Sequence, residues 1–362
     1  MSAMNELEIV ERLCRCFPTN SCVRLGPGDD AAILETSVGA ETAGTSQIVV
    51  SVDMLTEGVD FLLNRMNPQI IARKALNVNL SDLAAMAAEP MACVISVALP
   101  RNSAFPLAED FSLDKHRSSD GERFILPKNE TPAPHTTAEL MEALSKGFRE
   151  AAEEHNIAIV GGDTNMWDEG LAISVTVLGR VVKKALRRDS AQIGDAICVT
   201  GALGGSILRR QFSFVPRVRE MLLLNDKYDI HAAMDISDGL ALDISRLVKS
   251  SRLGAVVDIE AVPIHPDAVE LSALRCDESL VYDWIPQTFA QRTPIEHALG
   301  DGEDFEILFT TTPESAREMR QNPFGIPITQ IGRIIETPGI FAQRGEEELY
   351  PLPPSGFVHD AK

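Results

Sequence analysis

The chain is 362 residues long, more than a single hydrophobic core usually serves, so two domains are expected. Hydrophobic residues at 44% and charged residues at 24% are those of an ordinary soluble globular protein. A formal net charge of −20 argues against nucleic acid or an anionic membrane as the main partner, and no apolar run approaches the roughly 18 residues that span a bilayer.

The first residues are polar and acidic, unlike a secretory signal, and residues 5–16 read as a short amphipathic helix. A strand-like run over 47–52 ends at Asp53. The strongest helix signal follows: Asn67 is a good N-cap, Pro68 suits the first helical position, and the apolar pattern continues to Pro90. Met91 to Leu99 is apolar and β-branched and predicts a buried strand. Residues 101–136 mix Pro, Ser, Asp and Lys with little periodicity and read as a mobile surface insertion. A helix over 137–155 and a strand over 157–160 then lead into Gly161-Gly162-Asp163.

A strand over 171–182 is a natural end for a first domain, giving boundaries of 1–180 and 181–362. The second domain opens with 191–195 and a strand over 196–200, and strands alternate with helices from there on. The fold class is therefore α/β or α+β, without solenoid repeats. The six cysteines, Cys14, Cys16, Cys22, Cys93, Cys198 and Cys276, include no C-x-x-C pair, and the seven histidines no H-x-x-x-H spacing. A zinc site is not expected, and reduced thiols in the cytoplasm are.

Carboxylates recur beside glycine or serine in six places. They stand at 26–32 (GPGDDAA), 51–53 (SVD), 79–82 (NLSD), 161–164 (GGDT), 235–239 (DISDG) and 302–306 (GEDFE). Taken singly, each is first of all a turn or a helix cap, because Asp side chains satisfy nearby backbone amides. Asp238, just before the periodic segment from Leu240, reads as such a cap. Asp82 resists that reading. It lies among Ala, Leu, Val and Met, where an unpaired carboxylate costs several kcal/mol. Arg73 and Lys74 lie more than two helical turns away, too far for a local pair.

Ser51 and Asp53 share one side of a strand, and Asp235 and Ser237 repeat that spacing. Asp29 and Asp30 point to opposite sides if extended, so one of the two is expected to serve as a ligand. Gly161 and Gly162 would let backbone approach a phosphate, with a following helix end to help. The glycine cluster at 201–205 reads as a strand-to-helix turn. Oxygen ligands on tight turns suit magnesium, and an acidic protein that binds an acidic nucleotide must place cations between them. No P-loop, complete G-x-G-x-x-G or H-R-D and D-F-G pair is present.

In order and local sequence, these motifs resemble the thiamine-monophosphate kinases of the aminoimidazole ribonucleotide synthetase-like superfamily, from about residue 26 to 310. The resemblance implies an N-terminal domain that contributes to a dimeric β-barrel, a C-terminal α/β domain, and transfer of the ATP γ-phosphate to thiamine monophosphate. By position, Asp30, Ser51, Asp53, Asp82, Asp163, Asp235 and Asp238 would hold several magnesium ions. Gly161, Gly162, Arg188 and Ser237 would contact ATP, and Glu303 and Phe357 would border the acceptor. The transfer would be direct and in line, and the missing catalytic-base motif fits an acceptor that is already an ionised phosphate monoester.

Three features depart from the family pattern. Val52 stands where Thr is usual at a metal site, leaving its backbone carbonyl as the ligand. Asp60 replaces the usual substrate-contacting His; it would favour a cationic thiazolium by charge, or mark a changed acceptor. The 101–136 segment is longer than usual. The competing readings are a related ATP-dependent synthetase, a paralogue with another phosphorylated acceptor, and a nucleotide binder without catalysis.

Overall fold

The structure, a computed structural model, describes residues 23–26, 29–37, 45–63, 66–101, 136–274, 291–321, 324–345 and 347–357. The 5–16 helix and nearly all of the 101–136 insertion lie outside them, as do Cys14, Cys16, Cys22 and Cys276. The chain forms two compact units. One comprises residues 1–51, 80–89 and 179–362, and the other 52–79 and 90–178.

The chain begins with β1 (Val23–Leu25), β2 (Ala32–Ser37) and β3 (Thr45–Thr56), followed by helix α1 (Pro68–Ala85) and β4 (Ala88–Pro100). Helix α2 (Thr137–Glu154), β5 (Ala158–Trp167) and β6 (Ala172–Val181) come next. These strands form a six-stranded sheet in the order β1-β2-β3-β6-β4-β5, which does not close into a barrel among the described residues. Asn67 starts α1 as expected, its Oδ1 accepting from the Gln69 N–H at 2.9 Å. The helix ends at Ala85 instead of running to Pro90, because Ala87 takes a φ of 49° and β4 begins at Ala88. Such a left-handed residue closes a helix.

Thr136 and Glu139 form a capping box that starts α2, and Leu140, Leu144, Phe148 and Ala151 make its buried face. Within the second unit, α2 is tied to the start of α1 by Gln69–Glu150, at 2.6 Å, and by Arg73–Glu154. Strand β6 alternates, with Ile173, Val175 and Val177 buried, as a half-covered strand does. Strand β5 does not. All ten of its residues are exposed, and it stands at the end of the sheet order.

The remainder of the first unit is built on a seven-stranded sheet. It uses β7 (Ala196–Thr200), β8 (Ile230–Asp235), β9 (Gly254–Asp258), β10 (Ile307–Thr311), β11 (Ile328–Ile335), β12 (Gly339–Gln343) and β13 (Tyr350–Pro351). Its order is β13-β12-β9-β11-β7-β10-β8, with β9 and β12 parallel and the other pairs antiparallel. Every residue of β7, β8 and β10 is buried, which marks strands covered on both faces. Helix α3 (Val218–Lys227) precedes β8 and α4 (Leu240–Ser251) follows it; α5 (Pro266–Ala273), α6 (Pro294–Gly300) and α7 (Pro313–Met319) complete the unit. Leu240, Ala241, Ile244, Leu247 and Val248 of α4 join Ile197, Val199, Met234, Ala255, Val257 and Ile340 in one core. That core fixes the end of β8, where Asp235 stands.

Candidate active site

Three carboxylates converge in the first unit. Asp30 follows β1, Asp82 lies in the last turn of α1, and Asp235 ends β8, with one oxygen of each within 4.8 Å of the others. Asp30 and Asp235 are buried and Asp82 is partly open. Hydroxyls hold them in place: Ser81 Oγ donates to Asp235 Oδ2 at 2.8 Å, and Ser51 Oγ lies 3.0 Å from the Asp30 carbonyl and hydrogen-bonded to the Asp82 carboxylate. Ser51 has one proton for two acceptors, so its bond can switch between them.

Burial and the neighbouring Asp30 charge raise the Asp235 carboxyl well above its ordinary value. Burial and Asp30 likewise push Asp29 up to about 7. Among the described residues, one cation is seen paired with the group, on Asp30. Arg188, in a 3-10 turn over Arg188–Ser190, places Nη2 2.6 Å from Asp30 Oδ1 and Nε 3.0 Å from Asp30 Oδ2. Asp29 accepts from the Arg188 backbone N–H at 3.1 Å instead, so of the two adjacent aspartates Asp30 alone enters the triad. An all-oxygen set on loop and element ends is a fitting donor set for a small divalent cation.

Asp238 is not the expected cap. Its own N–H and that of Gly239 donate to Asp243 Oδ2 at 3.1 and 3.2 Å, while the Asp238 carboxylate pairs with Arg246. The cap role passes to a residue inside α4 whose carboxyl burial pushes up to about 7. Backbone bonds gather three further residues around the same loop. Glu303 N–H donates to the Ser237 carbonyl at 2.6 Å, and Phe357 N–H to the Asp238 carbonyl at 2.8 Å, leaving the Phe357 ring half exposed.

The loop that carries Glu303 is strained. Gly302, Glu303 and Phe305 have φ of 76°, 52° and 49°, and left-handed conformers at non-glycine residues persist only where surroundings enforce them. Two buried carboxylates anchor this loop. Asp304 accepts from the Gly204 N–H at 2.9 Å and from Arg210, and Glu306 accepts from Arg217 Nη2 at 2.6 Å, Nε at 2.8 Å and Thr200 Oγ1 at 2.6 Å. Burial pushes the Asp304 carboxyl up to about 7 against the pull of Arg210 and Gly204. Phe305 stacks on Phe214 with ring centres 4.1 Å apart. A Cβ on Gly201 would sit 2.2 Å from Glu306 Oε1, so the glycine cluster makes room for that carboxylate.

Sequence reading missed Arg210 and Arg217, and within the 302–306 motif it gave a role to Glu303 alone, not to Asp304 or Glu306. The available signal was the acidic motif itself, 302–306, set directly before the apolar run from Ile307.

The other expected residues belong to the second unit. Asp53 N–H donates to Asn79 Oδ1 at 3.0 Å, and the Val52 side chain is exposed. Gly161, Gly162 and Asp163 lie in the middle of β5, paired with Val94, Ile95 and Ser96 of β4, and no helix follows them. A Cβ on Gly162 would come within 1.9 Å of the Ile95 carbonyl oxygen, so this glycine is demanded by strand packing. Asp60 closes a turn: its carboxylate accepts from Thr56 N at 2.6 Å and Thr56 Oγ1 at 3.3 Å. Its carbonyl accepts from Lys74 Nζ, which is buried, at 3.2 Å. Cys93 and Cys198 are buried free thiols.

The two-part α/β chain, with three carboxylates gathered from the ends of distant elements, has a family. The chain belongs to the AIR synthase related proteins: the family's N-terminal domain matches residues 28–115 and 123–181, and its C-terminal domain residues 201–343. Within that family it is similar to the thiamine-monophosphate kinase of Rhodopirellula baltica, with 34% identity over 339 residues, 93% of this chain and 92% of the relative. It is also similar to the crystal structure of thiamine-monophosphate kinase from Stenotrophomonas maltophilia K279a. There the identity is 30% and the TM-score 0.60, over 89% of this chain and 92% of that one. AaThiL complexed with AMPPCP and TMP shares the fold at TM-score 0.71 and 24% identity, over 98% of this chain and 97% of that one.

Proposed function

We propose that the chain is a magnesium-dependent kinase that transfers the ATP γ-phosphate to thiamine monophosphate, giving thiamine diphosphate. The observation that carries this is the Asp30–Asp82–Asp235 triad in a chain with full-length likeness to thiamine-monophosphate kinases. The difficulty of this chemistry is repulsion between two anions, which a magnesium ion held by the triad would offset. Asp53, Asp163, Asp238, Ser51 and the Val52 carbonyl are further proposed oxygen ligands. Arg188, with Gly161, Gly162 and Ser237, is assigned to ATP. Glu303, in the left-handed loop, and Phe357, half exposed, are assigned to the acceptor. The engagement of the Asp60 carboxylate by Thr56 supports a structural reason for the His-to-Asp departure, and so an unchanged acceptor.

Purified protein given ATP, Mg2+ and thiamine monophosphate is expected to form thiamine diphosphate, and to stop when EDTA is added. Nucleotide binding without any thiamine diphosphate would reject the assignment.

We also propose a homodimer built on the six-stranded sheet, working in the cytoplasm. Strand β5 ends that sheet and exposes Ile159, Val160, Met166 and Trp167, an edge that soluble proteins normally cover. The buried free thiols of Cys93 and Cys198 suit a reducing compartment. Among the described residues, no helix is long and apolar enough to cross a membrane. Sedimentation at micromolar concentration should return twice the chain mass, and a monomer would count against the dimer.

A further inference from the structure

The triad poses a problem before any metal arrives. Three carboxylates with oxygens inside 4.8 Å repel one another, and the burial of Asp30 and Asp235 weakens solvent screening. Among the described residues, the cation seen against the triad is the Arg188 guanidinium, on Asp30. It grips both oxygens of Asp30 at 2.6 and 3.0 Å with its side chain only 19% exposed.

We propose that Arg188 is the stand-in cation of the nucleotide-free site, and that the divalent ion and the guanidinium exchange on Asp30. This rests on the reading of the triad as a magnesium site. A fork that occupies both Asp30 oxygens sets a positive charge next to the position a divalent ion would take, so the two oppose each other. The backbone of Arg188 is anchored, its N–H donating to Asp29 at 3.1 Å and its carbonyl accepting from Ser251 Oγ at 2.8 Å. The side chain is therefore the part free to move, and its partial exposure gives it an exit. A planar guanidinium grips phosphate as readily as carboxylate. An incoming nucleotide phosphate offers Arg188 a second partner and leaves Asp30 open to the ion. Metal and nucleotide then bind cooperatively, each strengthening the other by the same factor. Arg188 acts here as a positioning residue that sets the order of loading.

The test is Mn2+ binding, followed by the electron-spin signal of the free ion, with and without a non-hydrolysable ATP analogue. Arg188→Gln removes the charge and should bind Mn2+ at least about ten-fold tighter than wild type without nucleotide, a tenfold change being about 1.4 kcal/mol. Adding the analogue should strengthen Mn2+ binding at least about ten-fold in wild type and less than about three-fold in the variant, because the coupling is lost. Arg188→Lys, which keeps the charge but not the fork, should fall between the two, and it answers the question if the Gln variant does not fold. Unchanged or weaker Mn2+ binding in the neutral variant, or in the Lys variant if that alone folds, overturns the exchange. Asp235→Asn separates the two layers. If that variant binds Mn2+ as well as wild type does, the metal reading itself fails. If it binds less while Arg188→Gln shows no gain, the exchange alone fails.

Discussion

Asp235→Asn is expected to make the metal-free protein more stable and, in the same molecule, to remove nearly all turnover. The carboxyl is fully enclosed, its ionised form disfavoured first by burial and then by Asp30. Asparagine has the same shape, and its Oδ1 can still accept from Ser81 Oγ. Replacing buried charge by well-packed neutral groups commonly stabilises by about 1–4 kcal/mol. The sign with pH is fixed by the direction of the shift. A carboxyl whose folded value is raised helps the fold while both states are protonated. It loses that help as pH climbs above the unfolded value towards the folded one.

The advantage of the Asn variant should therefore be absent near pH 4 and grow towards neutrality, in denaturant titrations carried out with EDTA. Activity should move the other way. Altering mere outer partners of metal ligands costs about 10–100-fold, so losing a direct ligand should exceed about 100-fold. A variant that is less stable at pH 7 without metal would show that Asp235 is stabilised by its surroundings. One that retains near-normal turnover would show that it holds no essential ion.

Arg217→Met should be among the most destabilising single changes in the first unit. Glu306 is 4% exposed and takes both arms of Arg217, with Thr200 Oγ1 as its other side-chain donor. Removing one partner of a buried pair leaves an uncompensated charge and costs about 3–5 kcal/mol. Arg217→Met combined with Glu306→Gln should recover most of that loss, because the stranded charge goes with its partner. Urea unfolding of the two singles and the double gives the coupling directly. If the double variant is as unstable as Arg217→Met alone, the cost lies in lost packing and not in the orphaned carboxylate. The folded double variant should also bind the acceptor more weakly, since the fork helps to keep Glu303 in its left-handed conformer.

Local grammar made much of the fold legible, and distance hid the rest. Asn67-Pro68 announces the start of α1, and the strand over 91–99 falls within β4. The helix end was misread because nothing in the composition around Ala87 distinguishes a left-handed residue from one more helical turn. Asp82 could be singled out from the cost of a carboxylate among apolar neighbours, and the structure sets it in the triad. The same cost applied to Asp304 and Glu306, but their partners Arg210 and Arg217 lie 94 and 89 residues away, beyond any local pattern. Gly161-Gly162-Asp163 shows the opposite limit. A glycine needed for contact with a phosphate and one needed for contact with a neighbouring strand look alike in one sequence, and Gly162 meets the Ile95 carbonyl.

The Ser81–Asp235 and Arg188–Asp30 bonds close over 154 and 158 residues of chain. Contacts of such long range form late, after the entropy of closing the intervening loops has been overcome. A chain still folding therefore has its carboxylates far apart, with no position at which they can act together on a cation. If the triad holds the ion proposed above, ion retention would report on the protein's own folding. It would mark the molecules in which the opening strands, the end of the first long helix and the edge of the second sheet have all come into register.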